Sequence, residues 1–354
     1  MRRYKVLTYQ SLTGDLINSW RNLWQKAQNQ SYYNSYEWFL VCLAVYKISE
    51  YKIYCCYKDN ELVAIFPTVK RRKFAVNVIS CPGDQYIDLA PLLLKIYDFV
   101  VVKLLIETMV KDGNLYLVQV DSKNAHFLKK MLPQGLASII SLVPFIDIRE
   151  DPFRDMSGDN KRKLGSLNNK YKDNLTHLFF STKGDLKKYF KVMVAIDQKS
   201  SKKLKSRDLF SKEENVELYE TMIEKSAQNI RIDLLFYKDI PIAYVFAIVF
   251  SKRYLAINTA YLSDYKKLSP GKLLFYHIIK NLQEEGYEHF SFGLGHSRLK
   301  EEFTKRYQLQ FEFYYSKNFL IMLWWKMINL LRRFRILLIR TQNSDDYLYL
   351  FKRL

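Results

Sequence analysis

The segment Tyr261-Leu-Ser-Asp-Tyr-Lys-Lys-Leu-Ser-Pro-Gly-Lys-Leu-Leu274 joins a strand-like stretch to a stretch with helical periodicity. Ser269 is a residue type that often caps helix N-termini, because its side-chain oxygen can accept an unpaired backbone N–H. Pro270 suits the first helical position, since proline lacks the N–H that would have no partner there. The segment therefore predicts that a helix begins at Pro270.

The first turn of this predicted helix has the features of an anion site. Gly271 has no side chain to block an approaching ligand, and the helix dipole favours negative charge at this end. Lys267 and Lys272 add formal positive charge. Taken alone, Ser269 to Lys272 is also an ordinary helix cap. Its position between the last strand of a meander and a long helix favours the binding of a pyrophosphate.

Hydrophobic periodicity predicts the same order of elements in each half of the chain: strand, two helices, β-meander, helix, strand, helix and strand. The meander of the first half turns at Lys58-Asp59-Asn60, and that of the second at Lys238-Asp239. This order predicts an α/β fold of the α+β kind, with a mixed, largely antiparallel sheet and helices on both faces of each sheet. Independent α+β domains of similar length would produce the same order.

The expected domains are residues 1–147 and 148–318, followed by a helical tail at 319–354. The apolar run Leu92 to Val110 is expected to form one buried helix. The polar stretch Arg149 to Asp173 has the composition of a linker that leads into a short basic helix.

The composition limits the class of protein. The chain has 354 residues, 49% of them hydrophobic, and a net charge of +20 from 56 Lys and Arg against 36 Asp and Glu. Its length and apolar content favour two domains with a large core. The charge favours anionic partners such as nucleic acid, phosphorylated ligands or acidic lipid, although scattered basic clusters are usually solvated surface.

The cysteines (Cys42, Cys55, Cys56 and Cys81) show no paired C-x-x-C spacing, and no histidine pair has the spacing of helical zinc ligands. We therefore expect free thiols and no structural metal. The segment Met1 to Trp20 lacks the apolar core of a signal peptide, so we expect the chain to stay in the cytoplasm.

Four motifs follow one another along the second half: Pro241-Ile242-Ala243, Tyr261, Leu268-Ser-Pro-Gly-Lys-Leu-Leu274 and Gly295-His296-Ser297-Arg298-Leu299-Lys300. In this order they resemble the GNAT superfamily of N-acyltransferases, and in particular its CelD/BcsL-type, or BioF2-like, acetyltransferase domain. The first half contains weaker matches to motifs of this family: Tyr36-Glu37-Trp38, Ala64-Ile65-Phe66-Pro67 and Asp84-Gln85-Tyr86-Ile87-Asp88. Together the halves resemble the tandem GNAT arrangement of Fem-type peptidyltransferases.

The resemblance implies that an acyl-CoA is the co-substrate. Its pyrophosphate would bind at the helix start, formed by Lys267, Leu268, Ser269, Pro270, Gly271 and Lys272. Its thioester would lie along splayed strands, Tyr254 to Leu262 and His289 to Leu294, where an amine attacks it directly. The family often carries a tyrosine where this chain has Leu299, so the role of proton donor to the thiolate is not carried over there. Tyr261 and Tyr307 are the candidate substitutes.

His296 is the candidate general base, because an unperturbed imidazole titrates near pH ~6.5. Asp84, Tyr86, Asp88 and Lys300 are candidates for binding the acceptor. Each has a simpler interpretation: His296 as a surface loop histidine, Asp84 and Asp88 as turn residues, and Lys300 as a solvated lysine.

The activity implied is acyl-CoA-dependent N-acylation of a small amine, such as a nucleotide- or lipid-linked amino sugar, in polysaccharide or cell-envelope synthesis. One alternative is a Fem-like transferase that uses charged tRNA, the only nucleic-acid partner expected. The other is a non-enzymatic scaffold with a degenerate GNAT fold.

The tail beyond Lys317 predicts a basic amphipathic helix. Its cations and asparagine share one arc: Lys326, Asn329, Arg332, Arg333 and Arg340. Its apolar residues share the other: Met327, Leu330, Leu331, Phe334, Leu337 and Leu338. The longest charge-free run is too short to span a bilayer. Such a helix is typical of a surface anchor on anionic lipid, with packing onto the protein or a sister subunit as the alternative.

Overall fold

A computed structural model describes residues 4–84, 87, 90–200, 209–295 and 297–339, and of residues 333–339 the backbone alone. The chain divides into two compact units. Unit 1 contains Met1–Leu142 and Gln308–Leu354, and unit 2 contains Val143–Tyr307.

The chain order of elements in the first half follows the sequence prediction. The strands are β1 (Tyr4–Tyr9), β2 (Tyr51–Lys58), β3 (Glu61–Lys73), β4 (Val76–Ser80), β5 (Leu93–Leu94), β6 (Asn114–Asp121) and β7 (Leu136–Asp147). The helices are α1 (Gly14–Lys26), α2 (Tyr36–Val45), α3 (Phe99–Asp112) and α4 (Ser122–Met131).

The second half repeats this order. Its strands are β8 (Leu175–Phe180), β9 (Ile230–Tyr237), β10 (Ile240–Phe250), β11 (Arg253–Tyr261), β12 (His289–Ser291) and β13 (Tyr307–Tyr315). Its helices are α5 (Gly158–Tyr171), α6 (Lys183–Gln198), α7 (Glu213–Ser226), α8 (Pro270–Glu284), α9 (Arg298–Phe303) and α10 (Phe319–Ile339).

Each unit is built on a mixed sheet. Unit 1 has the order β1-β2-β3-β4-β6-β13, and unit 2 the order β8-β9-β10-β11-β12-β7. Each order contains one parallel pair, β4 with β6 and β11 with β12. The predicted mixed, largely antiparallel α/β fold is therefore confirmed.

The last strand of each half pairs in the unit of the other half. Residues 145–147 of β7 pair with β12 in unit 2, and residues 310–315 of β13 pair with β6 in unit 1. The predicted ranges 1–147 and 148–318 follow chain order and place β13 in the second domain. Periodicity identifies a strand but not its partner, so this exchange has no signal in the pattern.

Three predicted elements differ in extent. The prediction of one helix over Leu92 to Val110 was wrong, because residues 93–94 pair with β3 and α3 begins only after Asp98, whose Oδ1 accepts the Val100 N–H at 2.8 Å. Likewise the strand expected over His289 to Leu294 ends at Ser291, before two glycines with φ of 72° and 84°, and the helix that periodicity predicts over Leu299 to Tyr307 is α9, which ends at Phe303.

Helix α8 is held by the core of unit 2. Leu274, Ile278 and Leu282 recur every fourth residue and are fully buried. They belong to a cluster that also contains Val245 and Phe290 from the sheet. This packing fixes the position of the first turn of α8 near the end of β11.

Within the described residues, no helix is both long and apolar enough to cross a bilayer. In the same part of the chain, no group of three or more His, Cys, Asp or Glu side chains is arranged to hold a metal ion. The four cysteines are buried thiols.

Candidate functional site

The candidate site lies in unit 2, where the parallel pair of β11 and β12 ends. Among the described residues, β12 pairs with β11 only from Arg253 to Leu255, while β11 continues along β10 as far as Tyr261. The edge of β11 from residue 256 onward therefore has no β12 residue opposite it in the described part of the chain. The pairing stops because β12 ends at Ser291, and the splay of the two strands that the resemblance implies stays a prediction.

A β-bulge in β11 lies at the start of this open edge. Phe246 of β10 is opposite Asn258, and the next residue, Ala247, is opposite Ala256, so Ile257 is the extra residue. The extra residue of a bulge is left out of the hydrogen-bond ladder, which frees its backbone groups for other partners. The bulge therefore makes the Ile257 N–H a candidate donor to a ligand at this edge.

Helix α8 begins at Pro270, as predicted, but Ser269 does not cap it through its side chain among the described contacts. Ser269 has φ 51°, a left-handed conformation that is unusual for a residue before proline. Its carbonyl accepts the N–H groups of Lys272 at 3.0 Å and Leu273 at 3.2 Å. Since Pro270 has no N–H, Gly271 supplies the first-turn donor that these bonds do not use.

The surroundings of Gly271 define the rest of this helix start. A Cβ added to Gly271 would lie 3.7 Å from a ring carbon of Tyr261 and 3.9 Å from Leu299. Tyr261, Gly271 and Leu299 are therefore neighbours, so Leu299 occupies a position beside the candidate anion site. Tyr307, the other tyrosine candidate, is the half-buried first residue of β13.

The two predicted lysines of the helix start differ in environment. Lys267 is exposed at the end of a short 3₁₀ helix, Ser263–Leu268, while Leu268 is buried in the core. Lys272 forms an ion pair with Glu302 of α9, and the two side chains are only 26% and 20% exposed. The charge of Lys272 is therefore largely neutralised by Glu302.

Lys300 fixes the loop that follows β12. Its Nζ donates to the carbonyls of Gly293, Leu294 and Gly295 at 3.2, 2.8 and 3.2 Å. An ammonium has three donors, so these bonds account for all of them. His296 directly follows this loop and lies outside the described residues, as do Tyr86 and Asp88. Their predicted roles stay predictions.

Lys300→Met keeps the apolar stem of the side chain and removes all three donors. We expect faster amide hydrogen exchange at residues 293–295, since their carbonyls lose a shared cationic partner. Lys305→Met, at an exposed lysine nearby, is the matched control and should leave that exchange unchanged. Equal exchange in both variants would show that Lys300 does not hold the loop.

Asp84, a predicted acceptor ligand, is 8% exposed and lies in unit 1. Its carboxylate accepts from Arg71 Nη1 at 2.6 Å and from Ser80 Oγ at 3.1 Å. The structure therefore shows Asp84 as half of an internal ion pair, and its role toward an acceptor stays a prediction.

The corresponding helix of unit 1 starts differently. Asp98 caps α3, and its second oxygen accepts the hydroxyl of Tyr4 at 2.9 Å. A carboxylate at a helix N-terminus satisfies the N–H groups and repels a phosphate. The candidate anion site is therefore a feature of α8 and not of α3.

Sequence reasoning missed a buried hydrogen-bond chain beside the bulge. The Tyr244 hydroxyl donates to Asp197 Oδ1 at 2.7 Å, and Asn258 Nδ2 donates to the Tyr244 hydroxyl at 2.7 Å. Burial, with the charge of Asp197, raises the pKa of Tyr244 well above its usual value, so the phenol stays protonated. The three residues come from one helix and two strands, and nothing in their sequence spacing indicates that they meet.

The site of unit 2 combines a mixed sheet that contains a short parallel pair with a helix start that lies beside the end of β11. Residues 161–301 match the family described as acetyltransferase (GNAT) domain. This segment contains β11, the first turn of α8, β12 and the start of α9. Residues 161–301, which lie within unit 2, are therefore similar to a GNAT acetyltransferase domain. No curated protein matches the chain.

Three solved structures are similar to most of the chain. FemX has a TM-score of 0.60 at 10% identity, over 86% of this chain and 96% of that one. A conserved protein of unknown function from Bacteroides thetaiotaomicron VPI-5482 has a TM-score of 0.56 at 12% identity, over 89% and 99%. L-PGS from Bacillus licheniformis has a TM-score of 0.50 at 14% identity, over 75% and 86%. These likenesses extend over both units and concern the fold.

Proposed function

We propose that the chain is an acyl-CoA-dependent N-acyltransferase, with the donor bound by unit 2. The acceptor is the amine of an amino sugar, or of a related precursor, in polysaccharide or cell-envelope synthesis. The observation that carries the donor proposal is the helix start at Ser269–Gly271, which lies at the end of a strand whose outer edge is open. The acceptor proposal rests on the resemblance of the four motifs to the CelD/BcsL-type domain.

The residues present fit a coenzyme A pyrophosphate at the first turn of α8. Gly271 offers a backbone N–H and no side chain, and the helix dipole adds to the attraction of the anion. Ser269, directly before this turn, has a strained left-handed backbone conformation. Such strain is often found where backbone geometry serves a ligand. Lys267 is exposed and adds positive charge nearby.

Acyl transfer to an amine needs a base for the ammonium, a donor to the developing oxyanion and an acid for the departing thiolate. The Ile257 N–H at the bulge is our candidate for the oxyanion. His296 is the candidate base. Asn258, oriented by Tyr244, is the candidate for holding the acceptor next to the bulge.

Calorimetric titration of the full chain with acetyl-CoA tests the donor proposal. Binding of acetyl-CoA, followed by thiol release with one member of a panel of nucleotide-linked amino sugars, is the expected result. Binding without turnover would leave the donor site intact and refute the acceptor class. The absence of binding by any acyl-CoA would refute the acyl-CoA-dependent proposal and leave the tRNA-dependent transferase and the non-enzymatic scaffold.

A second candidate is a Fem-like transferase that takes its acyl group from aminoacyl-tRNA. The neutralisation of Lys272 by Glu302 favours it, because it weakens the local charge available to a pyrophosphate. A net charge of +20 also suits a long polyanion. Competition separates the two proposals: a charged tRNA that binds tightly while acetyl-CoA does not bind would replace the first proposal by the second.

Glu302→Gln is expected to tighten acetyl-CoA binding about fivefold, because it releases the charge of Lys272 toward the helix start and removes a nearby anion. Calorimetry of the variant against the wild type measures this change. Glu301→Gln, one residue earlier on α9, is the matched control and should have a smaller effect. Weaker binding by Glu302→Gln would show that the ion pair itself shapes the site.

A further inference from the structure

Helix α10 is attached to unit 1 along one side. Met322 and Trp325 are buried, and the ring of Trp325 lies 5.3 Å from that of Tyr314 on β13. Farther along the same side, Asn329 Nδ2 donates to Ser138 Oγ at 2.5 Å, and Arg332 pairs with Glu312 at 2.8 Å. These residues recur every three or four positions, so one face of the helix is fixed to the unit.

The opposite face of α10 is apolar and exposed. Its large side chains are Phe319, Leu320, Leu323, Trp324, Met327, Leu330 and Leu331, with exposures of 73, 70, 52, 42, 43, 54 and 58%. At 3.6 residues per turn these positions form one continuous stripe, turned away from Met322 and Trp325. We call it the α10 stripe. Packing onto the protein was the simpler expectation for this tail. It accounts for the face that carries Met322 and Trp325 and leaves the α10 stripe in contact with solvent.

Positive charge surrounds the α10 stripe. The sequence of α10 contains no acidic residue and four basic ones, of which Lys326 is exposed. The turn between β3 and β4 lies against the helix, since Trp324 Nε1 donates to the carbonyl of Phe74 at 3.0 Å. That turn follows the basic run Lys70-Arg-Arg-Lys73, in which Lys70 and Arg72 are exposed.

We propose that the α10 stripe is a docking surface for an anionic lipid bilayer. An apolar helix face at this exposure inserts at the boundary of headgroups and acyl chains, and flanking lysines and arginines bind anionic headgroups. A second copy of the chain is the less favourable occupant, because each copy carries +20 and the residues around the stripe repeat that sign. The attachment of α10 to unit 1 means that the lipid surface would hold the folded unit in one orientation.

Vesicle co-sedimentation of the full chain tests this surface. We expect binding to mixed phosphatidylglycerol–phosphatidylcholine vesicles, weaker binding to phosphatidylcholine alone, and loss of binding at high salt. Leu320→Ser with Leu323→Ser should weaken binding at least tenfold, since each removes an apolar side chain from the lipid contact. Lys326→Gln should weaken binding about fivefold, and only to the anionic vesicles.

The matched control is Val100→Ser on α3, an apolar residue of unit 1 that is 47% exposed outside the stripe. It should bind vesicles like the wild type. All variants change exposed side chains, and circular dichroism is the check that each variant is folded. Equal binding by the wild type and the double serine variant would overturn the proposal. So would a wild-type dimer, seen by sedimentation velocity, that the double variant converts to monomer while vesicle binding is absent.

Discussion

Asp233→Ala is expected to lower the free energy of unfolding of unit 2 by about 3–5 kcal/mol, because it removes the shared anion of a buried polar network. Asp233 is fully buried, and Arg231 is 2% exposed. Arg231 Nη2 donates to Asp233 Oδ1 at 3.0 Å, His177 Nε2 lies 2.8 Å from the same oxygen, and the Tyr254 hydroxyl donates to Oδ2 at 2.7 Å. Alanine would leave all three partners without their acceptor.

This network also holds α8, whose first turn is the candidate donor site. Arg231 donates to Glu285 at 2.7 Å and to Asn281 at 2.6 Å, at the C-terminal end of the helix. Without Asp233, the guanidinium loses its buried counter-ion and keeps Glu285, which is partly exposed, and the neutral Asn281. We therefore expect acetyl-CoA binding to weaken in Asp233→Ala even under conditions where the unit remains folded.

Urea unfolding followed by circular dichroism measures the change, with Asp173→Ala at an exposed aspartate of the same unit as the control. Arg231→Met in the Asp233→Ala background should recover part of the loss, because it removes a buried cation that has lost its buried counter-ion. A loss below about 1 kcal/mol for Asp233→Ala would mean that water replaces the carboxylate, contrary to its full burial.

The stability difference between the wild type and Asp233→Ala is expected to depend on pH. Burial alone would raise the pKa of Asp233, but the hydrogen bond from His177 and the charge of Arg231 outweigh it and hold this pKa below its usual value. A depressed carboxyl pKa stabilises the fold above the unfolded-state pKa of about 3.9, and this contribution is lost as the pH falls through the folded-state pKa. The stability difference between wild type and Asp233→Ala should therefore shrink only below about pH 4.

The sequence predicted best what depends on neighbouring residues. Helix α8 begins at Pro270 as expected, because Ser-Pro at a helix start is a local signal and the apolar positions that follow have a clear helical period. Asp98 was an equally local cap signal inside the run Leu92 to Val110. Using it would have shortened the predicted helix to its observed start at Phe99.

Local sequence signals did not predict the contacts between residues that are far apart in the chain. The pairing of β13 with β6 joins residues nearly two hundred positions apart, as in Tyr314 opposite Tyr116. Glu302 beside Lys272 and Asp197 beside Tyr244 are likewise products of tertiary packing. The predicted site stays a prediction, and it counted as available two cations, Lys272 and Lys300, that the structure shows with partners inside the protein.

Gly271→Ala is expected to raise the Kd of acetyl-CoA about tenfold to hundredfold while leaving the fold intact. Binding weakens because a methyl group at this position hinders the approach of a phosphate to the Gly271 N–H, and a hydrogen bond to a charged group contributes about 1.5–3 kcal/mol. The fold stays intact because the added Cβ would meet Tyr261 at 3.7 Å and Leu299 at 3.9 Å, which is ordinary contact.

Gly165→Ala on α5 is a closely matched control. Gly165 also lies within a helix of unit 2, and its added Cβ would meet no atom within 4 Å. Both substitutions should stabilise their helices slightly, since alanine is the better helix former. Thermal unfolding can therefore verify that neither variant is damaged before calorimetry compares their Kd values for acetyl-CoA.

The comparison separates a helix cap from an anion site at the same four residues. If Ser269 to Lys272 only begin a helix, Gly271→Ala and Gly165→Ala should be indistinguishable from the wild type in every ligand titration. If the first turn binds the donor, Gly271→Ala alone should lose affinity, and the loss should be the same for acetyl-CoA and free coenzyme A, because both carry the same pyrophosphate. A loss confined to acetyl-CoA would instead place Gly271 beside the acyl group.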